Sequence, residues 1–202
     1  MIILDSSLFI GKGAHRSCYI HPTNKNLCVK LNMPHQEKEI KRERKYYRHL
    51  EKRKISWDMI PRYYGEIETN LGRGSLFDLI VDTDGHVSQS LHRYLLSPEK
   101  TERFFDGLCK SLRAFKEYLY KNRIITMDLD PTNILCQKND MTIVKFFIVD
   151  NVYNTEFIPM SNYSKNFARR KITRKWQRFE NKLLETYSHN RFILPMIAKS
   201  KE

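Results

Sequence analysis

The spacing of apolar positions changes about a third of the way along the chain. Up to residue 80 the pattern is one of short alternating runs. Segments 7–11 (SLFIG) and 16–20 (RSCYI) flank a Gly11-Lys12-Gly13 turn, and Leu27 to Leu31 alternates as a half-buried strand does. These runs predict an antiparallel hairpin followed by a third strand. From Pro34 to Lys54 the chain is dense in Glu, Lys and Arg, and Ile40, Tyr47 and Leu50 draw a thin apolar stripe, as on a helix packed along one face. After Pro61, RYYGEIETN and SLFDLIV read as two further strands joined by an LGRG turn. A five-stranded sheet with one helix is the expectation for residues 1–80.

Residues 81–202 read differently. DTDGHVSQSLHRYLL predicts a turn leading into a short helix. Ser97-Pro98-Glu99 is a helix start, with Ser as N-cap and Pro at the first helical position, and Phe104, Leu108, Leu112, Phe115 and Leu119 recur at helical spacing behind it. The stretch from Arg123 is β-branched and broken by Pro131, so it predicts a loop, followed by Ile134-Leu135-Cys136 and an apolar strand from Ile143 to Val149 that ends at Asp150. A basic amphipathic helix is expected from Asn166 to Tyr187, with Ile172, Trp176, Phe179, Leu183 and Tyr187 on one face.

Composition narrows the setting. The 202 residues, 41% of them hydrophobic, suffice for a real core in one domain or two small lobes. Lys and Arg number 36 against 23 acids, and the net charge of +13 points to an acidic partner: nucleotide, nucleic acid, anionic membrane surface or acidic protein. Cys18, Cys28, Cys109 and Cys136 form no Cys-x-x-Cys pair, which argues against a zinc site and suits a reducing compartment. None of the seven histidines has metal-ligand spacing, and His15, His35 and His86 are expected at the surface. MIILDSSLFI lacks the basic flank of a signal peptide and no apolar run is long enough to span a bilayer, so a cytoplasmic location is expected.

The chemistry lies in MDLDPTN, where Asp128, Asp130 and Asn133 surround a proline in a segment that cannot be helical. Phosphoryl transfer needs an acid near the acceptor hydroxyl and oxygen ligands for magnesium. The spacing resembles the protein-kinase catalytic loop, and DLDPTN matches that loop's Asp-Leu-Lys-Pro-x-Asn at four of five specified positions. By this resemblance Asp128 is the catalytic acid–base residue, Asn133 a magnesium ligand, and Asp150, 17 residues further on, the second metal ligand. The resemblance implies upstream parts in the same order. Gly11, Lys12 and Gly13 would cover the phosphates of ATP, with Arg16 where the third glycine is expected. Lys30 would hold the phosphates, Glu43 would pair with Lys30 in preference to Glu37 or Glu39, and the backbone of Asp78, Leu79 and Ile80 would meet adenine.

With GKGAHRSCYIHPTNKNLCVKL and MDLDPTNIL together, the chain resembles the bacterial PhoP regulatory network protein YrbL family, and more distantly the bacterial lipopolysaccharide sugar kinases. The resemblance implies an α+β, bilobal, protein-kinase-like fold: an antiparallel N-lobe sheet with one helix (1–80), then a short, mostly helical C-lobe (81–202). It implies ATP and Mg2+ as cofactors, an unidentified hydroxyl acceptor of acidic character, and a bacterial regulatory or envelope-stress setting. Several positions depart from the protein-kinase pattern. Asp130 stands where many protein kinases have a lysine, so its charge must be offset by metal or a distant basic residue. Thr126-Met127 replaces His-Arg, Asn151-Val152 replaces Phe-Gly, and the 52 residues after Asp150 hold no Ala-Pro-Glu, which disfavours an ordinary Ser/Thr protein kinase. Three readings follow: an ATP- and magnesium-dependent phosphotransferase; a nucleotide-binding regulator without turnover; and a platform whose basic helix meets nucleic acid or, peripherally, an anionic membrane. The first is preferred.

Overall fold

The computed structural model describes residues 1–13, 16–32, 37–156 and 159–201. The alternating runs pair as their period requires: β1 (Phe9–Lys12), β2 (Arg16–Ile20), β3 (Leu27–Asn32), β4 (Tyr63–Thr69) and β5 (Gly72–Asp78) form one antiparallel sheet in the order β1-β2-β3-β5-β4. Cys18 lies opposite Lys30 and Ile20 opposite Cys28. Because side chains alternate along a strand, Arg16, Cys18, Cys28 and Lys30 therefore share one face. Val29, which points the other way, is fully buried with Leu4 and Leu31 in a small separate core. The β4–β5 hairpin is tighter than the LGRG turn expected: β5 already begins at Gly72, whose φ of +109° a glycine adopts without strain.

Helix α1 (Glu37–Lys52) buries Ile40, Glu43, Tyr46, Tyr47 and Leu50. Pro34, at its expected start, lies outside the described residues, as do His15 and His35. His86 is exposed at the surface. Side-chain hydrogen bonds tie the helix, and Arg53 just past its end, to the second half of the chain. The Tyr46 hydroxyl accepts from Ile125 N at 2.6 Å, and Arg53 Nη2 donates to the Asn122 carbonyl at 2.6 Å.

The remainder holds β6 (Gln89–Ser90), α2 (Leu91–Leu95), α3 (Pro98–Arg103), α4 (Phe105–Lys121), β7 (Ile134–Lys138), β8 (Ile143–Ile148), α5 (Met160–Tyr163), α6 (Lys165–Thr186) and α7 (Ile193–Lys199). Ser97 caps its helix as expected, its Oγ accepting from Lys100 N at 3.2 Å. The single helix expected behind it is in fact two. Phe104 leaves helical geometry (φ −108°, ψ 14°) while its ring packs edge-on to Tyr94, and the chain restarts as α4. The predicted stripe is otherwise correct: Phe104, Leu108, Leu112, Phe115 and Leu119 are all buried. Strands β6, β7 and β8 form a second antiparallel sheet, of which β6 is too short to carry a periodic signal. The apolar face of α6 is buried at Ile172, Trp176, Phe179 and Leu183, continued by Tyr187. No helix among the described residues is long and apolar enough to cross a membrane.

Candidate functional site

Between the five-stranded sheet and the helical half lies a cleft of about 520 Å³, lined by Gly11, Lys12, Gly13, Arg16, Lys30, Asp78, Leu79, Ile80, Asp128, Asp130, Asn133 and Asp150 among others. Every residue singled out from the sequence reaches this cleft except Glu43. The size falls in the range of small-molecule and cofactor sites, roughly 300–1,000 Å³.

Local chemistry explains how each part arrives. The turn over the cleft is closed by Gly13 N donating to the Arg16 carbonyl at 2.8 Å. The 128–133 segment stays out of helix because Asp130 accepts from Thr132 N and Thr132 Oγ1 (2.8 and 2.6 Å), and Pro131 starts a single 3-10 turn that ends at Asn133. Two backbone bonds then lash this loop to the strand end bearing Asp150: Met127 N to Asn151 O at 2.8 Å and Val149 N to Asn133 O at 2.9 Å. Asn151 takes a left-handed conformation (φ 59°), and its N–H donates to the Asp150 carboxylate at 2.9 Å. On the opposite wall, the Asp78 and Leu79 N–H groups are bonded to the Arg62 and Asn26 carbonyls. Ile80 N–H is the donor of that segment with no bond to a described residue.

One expected partnership is wrong. Glu43 does not pair with Lys30; its Oε2 meets Arg16 Nη2 at 2.7 Å, and Lys30 Nζ instead donates to the Val149 carbonyl. The reason is burial. Glu43 is 2% exposed and Arg16 9%, and the two buried charges compensate each other. Burial opposes the Arg16 charge, but Glu43 and Asp150 outweigh it and raise the guanidinium's pKa above its ordinary value.

The sequence reading also missed two lysines. Lys182 of α6 forms an ion pair with Asp130, which supplies the distant basic residue that the acid at this position requires. Burial pushes the Asp130 carboxyl up, yet the hydrogen bonds from Lys182 and Thr132 bring it below its usual value. Lys175, about two helical turns earlier on the same stripe, donates to the Met127 carbonyl next to Asp128; burial lowers its pKa and Asp128 counters the fall. A signal was available. Lys171, Lys175 and Lys182 each directly precede a residue of the buried stripe (Ile172, Trp176, Leu183), so they flank the packed face. Arg169, Arg170, Arg174 and Arg178 point to solvent.

The oxygen donors Asn133 and Asp150 suit magnesium, which keeps several waters and needs only one or two protein ligands. Among the described residues no three His, Cys, Asp or Glu side chains converge on a closed metal centre.

An antiparallel sheet with one charged helix, set over a mostly helical half with a cleft between them, is a kinase-like fold. A crystal structure of a kinase domain matches it with a TM-score of 0.52 over 75% of this chain, at 14% identity; the chain spans about half (53%) of that domain's length. The chain belongs to the PhoP regulatory network protein YrbL family, whose model matches residues 2–184. It is similar to the proteins named "Uncharacterized protein YrbL" of Escherichia coli (strain K12) and Shigella flexneri, 39% identical to each over 183 residues, which is 89% of this chain and 86% of theirs.

Proposed function

We propose that the protein is an ATP- and magnesium-dependent phosphotransferase acting on a hydroxyl acceptor of acidic character. The observation that carries this reading is convergence: Gly11 to Gly13, Lys30, Asp78 to Ile80, Asp128, Asn133 and Asp150 come from five separate stretches of chain and line one cleft. Taken singly, each has a bland explanation as a turn, a strand-edge lysine or a cap. Together they correspond to most of the parts that phosphoryl transfer uses, the carboxylate paired with the phosphate-binding lysine excepted.

In this reading the Ile80 N–H and its neighbours hold the adenine edge. The backbone at Gly11 and Gly13 lets the phosphates approach closely because no Cβ intervenes there. Lys30 exchanges the Val149 carbonyl for phosphate oxygen. Magnesium, held by Asn133 and Asp150, would neutralise charge on the donor phosphates. Asp128 accepts the proton of the acceptor hydroxyl as its oxygen bonds to the terminal phosphorus and the bond to the leaving diphosphate breaks. An acidic acceptor is favoured by α6, which carries Arg169, Arg170 and Arg174 toward solvent and has no acid between Lys165 and Phe179. The same surface is what contact with an anionic membrane or nucleic acid would use.

A second reading, a nucleotide-binding regulator without turnover, draws on the Arg16–Glu43 pair, which leaves Lys30 without a carboxylate partner among the described residues. Calorimetric titration of magnesium-ATP into the wild type and into Asp150→Ala tests the nucleotide site common to both readings. Binding that requires metal and is lost in Asp150→Ala is the expected result; a folded wild type that binds no nucleotide defeats both. Asp128→Ala then separates the two, since it should abolish transfer while ATP still binds.

A further inference from the structure

Arg16 is a charged cleft residue whose presence the expected kinase parts do not explain. It stands where a third glycine is expected, and it lines the cleft while only 9% exposed. Glu43 occupies its Nη2 at 2.7 Å. Its other terminal nitrogen, Nη1, is buried without a hydrogen-bond partner among the described residues, and so is Glu43 Oε1. An unmade hydrogen bond on a buried charged group is costly, and proteins rarely retain one without a compensating role.

We propose that Arg16 is a phosphate-contacting residue: Nη1 donates to an oxygen of a nucleotide's di- or triphosphate while Glu43 anchors the other side of the guanidinium. This rests on the reading of the cleft as a nucleotide site. Three observations carry it. The register of β2 on β3 puts Arg16 on the same face as Lys30, one alternate position along from Cys18, so two cations line the face that looks into the cleft. Arg16 closes the glycine turn through its own carbonyl, so its side chain leaves the backbone at the point where that turn overhangs the cleft. The guanidinium presents donors as a planar fork, which lets it hold a carboxylate with one nitrogen and a phosphate with the other, as a lysine cannot. Nη1 is sealed from solvent in the arrangement seen here, so engaging phosphate requires the Arg16 side chain to shift toward the cleft with Glu43 following it. Glu43 is then a positioning residue for Arg16 and not for Lys30.

The test is calorimetric titration of adenosine, ADP and ATP, each with magnesium, into the wild type, Arg16→Lys and the double variant Arg16→Met/Glu43→Gln. The double variant removes both charges at once, so no lone buried ion is left to unfold the protein, and circular dichroism checks its fold. Arg16→Lys keeps the charge and loses the fork. The expected result is that the advantage of ADP over adenosine falls about tenfold or more in the double variant and partway in Arg16→Lys, with adenosine affinity unchanged. Should both variants keep the full ADP advantage, the role of Arg16 is overturned and the nucleotide site stands. If the wild type binds neither adenosine nor ADP, the nucleotide reading itself fails and takes this inference with it.

Discussion

At the scale of single residues, the site depends on which charge finds which partner. Asp130 adds a negative charge two residues from Asp128, and Lys182 meets it across 52 positions of sequence. Both side chains are partly exposed, 43% for Lys182 and 21% for Asp130, so the pair contributes little to stability, about 1 kcal/mol at most. Its larger effect is on the field in the cleft. Without Lys182 the uncompensated Asp130 repels phosphate, so Lys182→Met should weaken magnesium-nucleotide binding by roughly two- to fivefold and leave the melting temperature within a few degrees of wild type. Adding Asp130→Asn to that variant should restore affinity. Calorimetry on the three proteins checks both steps, and a single variant that binds as tightly as wild type would show that Lys182 has no electrostatic part in the site.

At the scale of elements, the position of α4 on β8 depends on one small residue. A Cβ at Gly107 would strike Thr142 Oγ1 and the backbone of Ile143, at 2.6 Å from its carbonyl oxygen and 2.9 Å from its nitrogen. Strand backbone cannot yield as a side-chain tip does. Gly107→Ala should therefore destabilise by about 2 kcal/mol or more although alanine favours helix, lowering the melting temperature by roughly 5 °C. Thermal denaturation followed by circular dichroism measures it, and a neutral or stabilising result would mean that α4 does not pack this closely. The break at Phe104 fits the same constraint, since α4 must be re-aimed from α3 to bring Gly107 onto Ile143. Helix α6 works in the opposite sense: its apolar stripe fixes its rotation, and that rotation alone decides that Lys175 and Lys182 meet the 127–130 loop.

At the scale of the whole molecule, one continuous apolar core joins α1 to the helices beyond residue 90, and it includes Tyr46, Leu50, Leu112, Phe115, Phe146 and Trp176. The chain around Glu156 is pinned to this body by charge. Glu156 pairs with the buried Lys171 at 3.0 Å and accepts from Ser161 Oγ at 2.8 Å. Burial pushes its carboxyl up, but the hydrogen bonds from Ser161, Lys171 and Asn154 win and hold it at about 2, below its ordinary 4.5. A carboxyl whose pKa is depressed by folding stabilises fully above its ordinary value, and that contribution is lost as the pH falls toward about 2. Wild-type melting temperature should thus drop as the pH falls from about 4.5 toward about 2, and Glu156→Gln should flatten part of that drop. Equal pH slopes for the two proteins would remove Glu156 from the account.

The sequence alone determined what depends on neighbours close along the chain. Period-two and helical stripes located the sheet, α1 and α6, and the Asp-Pro-Asn turn chemistry marked the 128–133 loop, because backbone geometry and the burial of one face are set within a few residues. The grouping of Lys30, Asp128, Asn133 and Asp150 was legible only through order and spacing; packing placed them around one cleft. Tertiary structure decided the partnerships of the long charged side chains. α1 offers Glu37, Glu39 and Glu43 as candidate partners for the expected lysine, and nothing local distinguishes a Glu43 bound for Lys30 from one bound for Arg16. Strand register and burial make that choice, because an ion deep in the protein must be met by whichever opposite charge the fold brings within reach.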